Sequence, residues 1–148
     1  GDSGFWVLRM EGEEGRARIS VAHKSRSQSH SFNCPYQVGL YQGVHLNTPA
    51  DADAYGAVRL QRGDLVVVAT DGLTDMMYPL EILELAARAI SQGKSASELA
   101  GELVDSAIEL SRDASRLSPI IQALAQRGHV ARTREAQDDV TVLVARVL

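Results

Sequence analysis

Residues 5–10 (FWVLRM) and 16–23 (RARISVAH) are short β-rich runs split by the turn-like Glu11-Gly12-Glu13-Glu14-Gly15. In the second run Ala17, Ile19 and Val21 alternate with Arg16, Arg18 and Ser20, the period-two pattern of a half-buried strand. The pair predicts an antiparallel hairpin. Residues 24–30 (KSRSQSH) are polar and predict a loop, while residues 37–53, with Gly39, Gly43 and Pro49, predict irregular structure. A short strand is expected over 56–60, a turn at Gln61-Arg62-Gly63-Asp64, and a further strand over 65–70 (LVVVAT). The last run is almost unbroken in its apolar character, so both of its faces are expected to be covered. It ends at Asp71-Gly72, where a turn is expected.

The period then changes. Pro79 suits the first turn of a helix, where its missing N–H costs nothing. Leu80, Leu83, Ala87 and Ile90 mark the expected buried face of that helix, which should stop near Gly93. Ser95-Ala96-Ser97-Glu98 has the form of a capping box, in which serine and glutamate side chains bond each other's backbone N–H. The helix it opens carries the stripe Leu99, Leu103, Ala107 and Leu110. A third helix is expected from Ser118-Pro119 through Ala125, and a last, mostly buried strand over 140–147 (VTVLVARV). Antiparallel strands beside a cluster of helices predict an α+β layered domain. The strand order does not follow from the pattern.

Composition narrows the function without naming it. The chain has 148 residues, 45% hydrophobic and 23% charged, enough for a folded domain with a real core. No apolar run approaches the roughly 20 residues of a membrane span. The formal net charge of −4 lacks the basic excess of a nucleic-acid binder. One cysteine, Cys34, excludes an internal disulfide and a multi-cysteine zinc site. Set in Phe32-Asn33-Cys34-Pro35-Tyr36, it is expected to be a buried small hydrophobe. Gly1-Asp2-Ser3-Gly4 reads as the interior of a longer chain, so an N-terminal part is expected upstream.

Acidic residues stand where predicted strands begin or end. Asp2 precedes the first strand, Asp71 follows residues 65–70 with Asp75 close behind, and Asp138-Asp139 precede the last strand. Carboxylates at such positions can converge on one rim of a sheet, and hard oxygen ligands suit Mg²⁺ or Mn²⁺. Acids in turns also bond the local backbone, and Asp75 could cap the helix at Pro79, so spacing alone leaves both readings open. The residue two before Asp71 is Ala69, which excludes the Asp-x-Asp nucleophile of haloacid-dehalogenase phosphatases. The chain also has no Gly-x-x-x-x-Gly-Lys loop and no His-Glu-x-x-His pair. His23, His30, His45 and His129 are scattered and expected in loops or at the surface. Arg112, Arg116, Arg127, Arg132 and Arg134 make a basic stretch, read as a solvated face or as a docking surface for acidic phosphopeptides. Met76-Met77 is expected in the core beneath the acidic rim.

Three segments resemble, in order, motifs of the protein phosphatase 2C family. Ala69-Thr70-Asp71-Gly72-Leu73-Thr74-Asp75 resembles its (A/S)-(T/S)-D-G-(L/V)-(W/F)-D motif, and Gln137-Asp138-Asp139-Val140-Thr141-Val142 its final D-(N/D)-(I/V/M)-(T/S)-(V/A) motif. Gly1-Asp2-Ser3-Gly4 resembles its G-D-S-(R/G) motif. Residues 30–37 (HSFNCPYQ) and Ser118-Pro119 look closest to the branch with mitochondrial and plastid phosphatases, which implies an organellar, intracellular setting.

The resemblance implies an α-β-β-α sandwich of two antiparallel sheets flanked by helices, of which residues 1–148 would be the C-terminal portion. It implies hydrolysis of phosphoserine and phosphothreonine in protein substrates by a metal-activated water, without a phosphoenzyme. Asp71 and Asp138 match the aspartates holding one ion of a binuclear Mn²⁺/Mg²⁺ centre, and Asp2, Asp71 and Asp75 match the acids of a third, weaker site. The family's D-G-(H/V)-G-G aspartate and its phosphate-gripping arginine are not in this chain, and Thr74 stands where an aromatic residue is usual. The chain alone is therefore expected to be inactive and to need its N-terminal half as a partner. Two alternatives stay open: an inactive homologue acting as a binding module, and a bacterial regulatory phosphatase of the same superfamily.

Overall fold

The computed structural model describes residues 1–12, 18–130 and 138–148. Four strands, β1 (Gly4–Glu11), β2 (Arg18–Lys24), β7 (Leu65–Ala69) and β8 (Val142–Arg146), form one antiparallel sheet in the order β2-β1-β7-β8. Between β2 and β7 lie two small ribbons, β3 (Ser29–Ser31) with β4 (Cys34–Pro35), and β5 (Leu40–Tyr41) with β6 (Val44–His45). The helices α1 (Asp71–Met76), α2 (Pro79–Ser91), α3 (Ala96–Arg112) and α4 (Pro119–Ala125) follow β7, and β8 closes the chain. The α+β class read from the sequence is the observed one. Among the described residues, no helix is long and apolar enough to cross a membrane.

The core lies between one face of the sheet and the helices. Trp6, Leu8, Leu65 and Val67 project from the sheet onto Ile82, Leu85 and Ala86 of α2 and Leu99, Leu103 and Ala107 of α3. Burying one such leucine contributes roughly 1.5–3 kcal/mol. The capping box of α3 forms as expected, with the Glu98 N–H donating to Ser95 Oγ at 3.2 Å and the Ser95 N–H to Glu98 Oε2 at 2.8 Å. Met76 and Met77 are buried beneath the acidic end of β7, also as expected.

Other expectations are corrected. The buried stripe of α2 is Ile82, Leu85, Ala86 and Ala89, not the one through Leu80, which is 64% exposed. Both stripes have helical spacing, and packing onto the sheet selects the one that also carries the two small alanines. Strands β7 and β8 are covered on one face only. Register aligns Phe5 with Val68 and Val68 with Leu143, and on this second face Val68 is 41% and Leu143 64% exposed. Residues 56–60 form no strand and join no sheet. Strand β3 overlaps the end of the expected loop 24–30, and β5, β6 and a 3-10 turn (Pro49–Asp51) fall inside 37–53. Cys34 is exposed, since β4 belongs to an outer ribbon and not to the core. The hairpin turn at 13–15, strand residues 16–17, Arg132, Arg134 and Gln137 lie outside the described residues.

Candidate metal centre

Antiparallel pairing decides where the acids meet. Gly4 pairs with Ala69 and Ala69 with Val142, so the start of β1, the end of β7 and the start of β8 share one edge of the sheet. Asp2, Asp71 and Asp138 lie just beyond those strand ends, and Asp75 is one turn along α1 from Asp71. They sense each other. The Asp71 carboxyl is pushed up by burial and by the charges of Asp2 and Asp138. Asp75 is pushed up to about 7, first by burial and then by Asp71, Asp2 and Asp138. Strands far apart in sequence thus bring all four expected acids to one rim.

The local backbone explains the residues between them. The expected turn at Asp71-Gly72 is the first turn of α1, so the chain leaves the sheet as a helix. A Cβ on Gly72 would lie 2.7 Å from the Asp139 carbonyl oxygen, so only glycine lets α1 pass this close to the lead-in of β8. Thr70, at the N-cap of α1, turns its hydroxyl away from the helix. The hydroxyl donates to the Asp139 carbonyl at 2.8 Å and accepts from the Thr141 N–H at 3.0 Å, which ties β8 to the end of β7. Asp138 Oδ1 accepts the Asp139 N–H at 2.7 Å. Asp75 does not cap α2, where Glu81 instead accepts the Tyr78 N–H at 2.7 Å.

Among the described residues, no three His, Cys, Asp or Glu side chains form a ready metal cluster. The carboxylates share a rim without forming such a cluster. Their chemistry fits a hard divalent ion. They are all oxygen donors, they lie within electrostatic reach of each other, and the shift of Asp71 is set by burial and by its acidic neighbours. A cavity of about 490 Å³ opens beside them, with Asp2, Asp71 and Asp75 in its lining.

His23 and His30 make their contacts away from the rim. His23 is stacked on Phe5 within the sheet, which corrects the loop or surface expectation, and His30 bonds Asn47 at 3.0 Å on the outer ribbon. Two of the basic residues are engaged and not simply solvated. Arg116 donates to Glu81 and to the Met76 carbonyl, and Arg127 lies 3.9 Å over the Phe32 ring.

Residues 35–114, more than half of the chain, match the model of the family described as Protein phosphatase 2C. The chain belongs to the protein phosphatase 2C family. It is 36% identical to the human "Protein phosphatase PTC7 homolog" over 152 aligned residues, covering 99% of this chain and 47% of that protein. It is 35% identical to "Probable protein phosphatase 2C BIPP2C1" of Oryza sativa subsp. japonica, covering 99% of this chain and 24% of that protein. The solved structure described as the photosystem II phosphatase PBCP superposes with a TM-score of 0.68 at 25% identity, over 100% of this chain and 56% of that one. The chain spans less than half the length of the two sequence relatives. The matched segment contains Asp71 and Asp75, whereas Asp2 and Asp138 lie outside it and enter the rim through strand pairing.

Proposed function

We propose that the protein hydrolyses phosphoserine and phosphothreonine in protein substrates, and that Asp71, Asp138, Asp2 and Asp75 are this chain's ligands for Mn²⁺ or Mg²⁺. The observation that carries the reading is the convergence of these carboxylates on one rim, where each raised pKa traces to burial and to the other acids. When bound, the ions supply an acidified water and offset charge on the phosphoryl oxygens. The chain's own part is to hold the carboxylates at the ends of rigid strands, with Thr70 and Gly72 fixing the approach of β8 to α1.

The uncovered face of the sheet, with Val68 and Leu143, is read as the surface on which a second sheet of the sandwich packs. Residues 1–148 are then the C-terminal portion of the catalytic domain. The organellar-branch segments, together with a structural neighbour described as a photosystem II phosphatase, support a plastid or mitochondrial setting. Imaging of the tagged full-length protein elsewhere in the cell would refute that location.

The deciding experiment is Asp71→Asn in the full-length protein. Mn²⁺-dependent hydrolysis of a phosphothreonine peptide should fall at least about a hundredfold, with the circular dichroism spectrum retained. Near-wild-type activity at saturating metal would reject the assignment.

A further inference from the structure

The cavity beside the acids is mixed in chemistry. The carboxylates Asp2, Asp71 and Asp75 line it together with the apolar side chains of Trp6, Val67, Leu73, Ile82 and Ile120. The segment from Lys24 to Asn33 adds the hydroxyls of Ser25, Ser27, Ser29 and Ser31 to the lining, with Lys24, Phe32 and Asn33 beside them. Alternate residues of an extended chain face the same side, which is why every second position from 25 to 31 reaches the cavity. Its volume of about 490 Å³ is far beyond a single water and within the range of ligand pockets.

Two of its walls are aromatic rings held by cations from outside the acid cluster. Lys24 Nζ lies 4.7 Å from the Trp6 ring centroid. The Arg127 guanidinium, just beyond α4, lies 3.9 Å from the Phe32 ring centroid and also donates to the Ala123 carbonyl at 2.8 Å. Arg127 therefore fastens the tip of the β3–β4 ribbon to the helical layer. Asn33 supports the same tip from within the turn, with φ of 53°. Phe32, a lining residue of the cavity, is thus held from the helical layer by Arg127.

We infer that this cavity is a recognition pocket for an apolar side chain next to the phosphorylated residue of a protein substrate, with Arg127 as the positioning residue that holds Phe32 in its lining. The inference rests on the phosphatase reading for the identity of the substrate. The occupant follows from continuity: a chain whose phosphoryl group sits at the carboxylate rim has its neighbouring residues at this cavity. The apolar part of the lining rewards an apolar side chain, while the serine hydroxyls can bond the peptide backbone that carries it.

The test uses the full-length protein with Mn²⁺ and fluorescent phosphothreonine peptides that differ only in one flanking residue, glycine or leucine. Binding by anisotropy and kcat/KM are both read as the leucine-to-glycine ratio, which cancels any change in basal rate. Wild type should favour leucine by about tenfold, the value of burying one such side chain. Ser31→Phe, placed on the exposed ribbon to fill the cavity, should bring the ratio to within about twofold of one. Arg127→Met, which keeps the stem and loses the charge, should weaken the preference, and Arg127→Lys should restore it. A wild-type ratio near one overturns the pocket, as does a preference indifferent to both Ser31→Phe and Arg127→Met. A protein that hydrolyses no phosphopeptide yet binds the leucine peptide tighter rejects the phosphatase reading and leaves the pocket standing.

Discussion

Two aspartates bracket strand β7. Asp64 stands before its first residue and Asp71 after its last, and their surroundings are opposite. Asp64 is 1% exposed and fully partnered: Arg9 donates to both of its oxygens at 2.9 and 2.7 Å, and the Gln61 N–H donates at 2.7 Å. The Arg9 hydrogen bond holds its carboxyl below the usual range. Asp71 is pushed the other way, by burial and by Asp2 and Asp138. A buried charge with a complete set of partners is an architectural element, whereas one gathered with further charges of the same sign is a candidate for function. The comparison sets a fully partnered aspartate and one crowded by like charges at the two ends of a single strand.

The sharpest way to break that comparison is to neutralise each acid in turn. In the full-length protein Asp71→Asn should lose phosphatase activity while its metal-free melting temperature stays equal or rises, because one repelling charge is gone. Asp64→Asn should do the reverse, with kcat within about twofold of wild type and stability lower by about 2 kcal/mol, the scale of hydrogen bonds to a charged group. Thermal unfolding in chelator together with peptide hydrolysis checks both. Loss of stability from Asp71→Asn without loss of activity would show that the roles have been assigned backwards.

Next in size is Gly72→Ala. The added methyl meets the Asp139 carbonyl carbon and oxygen at 3.0 and 2.7 Å, and these are backbone atoms with little room to yield. Either α1 or the lead-in of β8 must move, at a cost of roughly 1–3 kcal/mol. The shift should also separate Asp71 from Asp138 and raise the Mn²⁺ concentration needed for half-maximal activity several-fold. An unchanged metal requirement, measured by titration of activity, would mean that the close approach serves packing alone.

Acid stability sharpens the other side. Unfolded, Asp64 titrates near its ordinary value of about 3.9, and in the fold Arg9 holds it lower. The unfolded chain therefore takes up the proton first as pH falls. The stability that Asp64 contributes is fully present above about pH 4 and is lost as pH falls through the lower, folded value. Asp64→Asn should flatten this acid limb below about pH 4, which urea unfolding at several pH values would read. A limb as steep in the variant as in wild type would assign it to other carboxylates.

What was legible in the chain follows the range of the interactions. The capping box at Ser95 and the start of α4 at Pro119 depend on neighbours a few residues apart, and both were readable. The buried stripe of α2 was not, because apolar residues line more than one side and the sheet makes the choice. The face of β7 carrying Val66 and Val68 was misread for a related reason. A run of valines records that burial suits the strand, without recording which partner supplies it. At the rim, Asp2, Asp71, Asp75 and Asp138 were found through motif resemblance, and only antiparallel register explains why they meet. The Asp64–Arg9 pair and the Arg127–Phe32 contact carried no local signal, since their partners lie 55 and 95 residues apart in the chain.

The smallest expected effect is the one that fixes the register of the acids. Asp138 and Asp139 are adjacent, but the described contacts of Asp139 run through its backbone. Its carbonyl accepts from Thr70 Oγ1 at 2.8 Å and faces Gly72, and its N–H donates to Asp138 Oδ1 at 2.7 Å. Asp139→Asn keeps that backbone and changes only an exposed side chain. It should leave phosphatase activity within about twofold of wild type and stability within about 0.5 kcal/mol, as for surface positions in general. Asp138→Asn should instead resemble Asp71→Asn, because the Asp138 charge is felt by both Asp71 and Asp75 across the rim. Measured side by side at saturating Mn²⁺, the two variants place the ligand at one residue or the other. An inactive Asp139→Asn beside an active Asp138→Asn would move the metal site one residue along the chain.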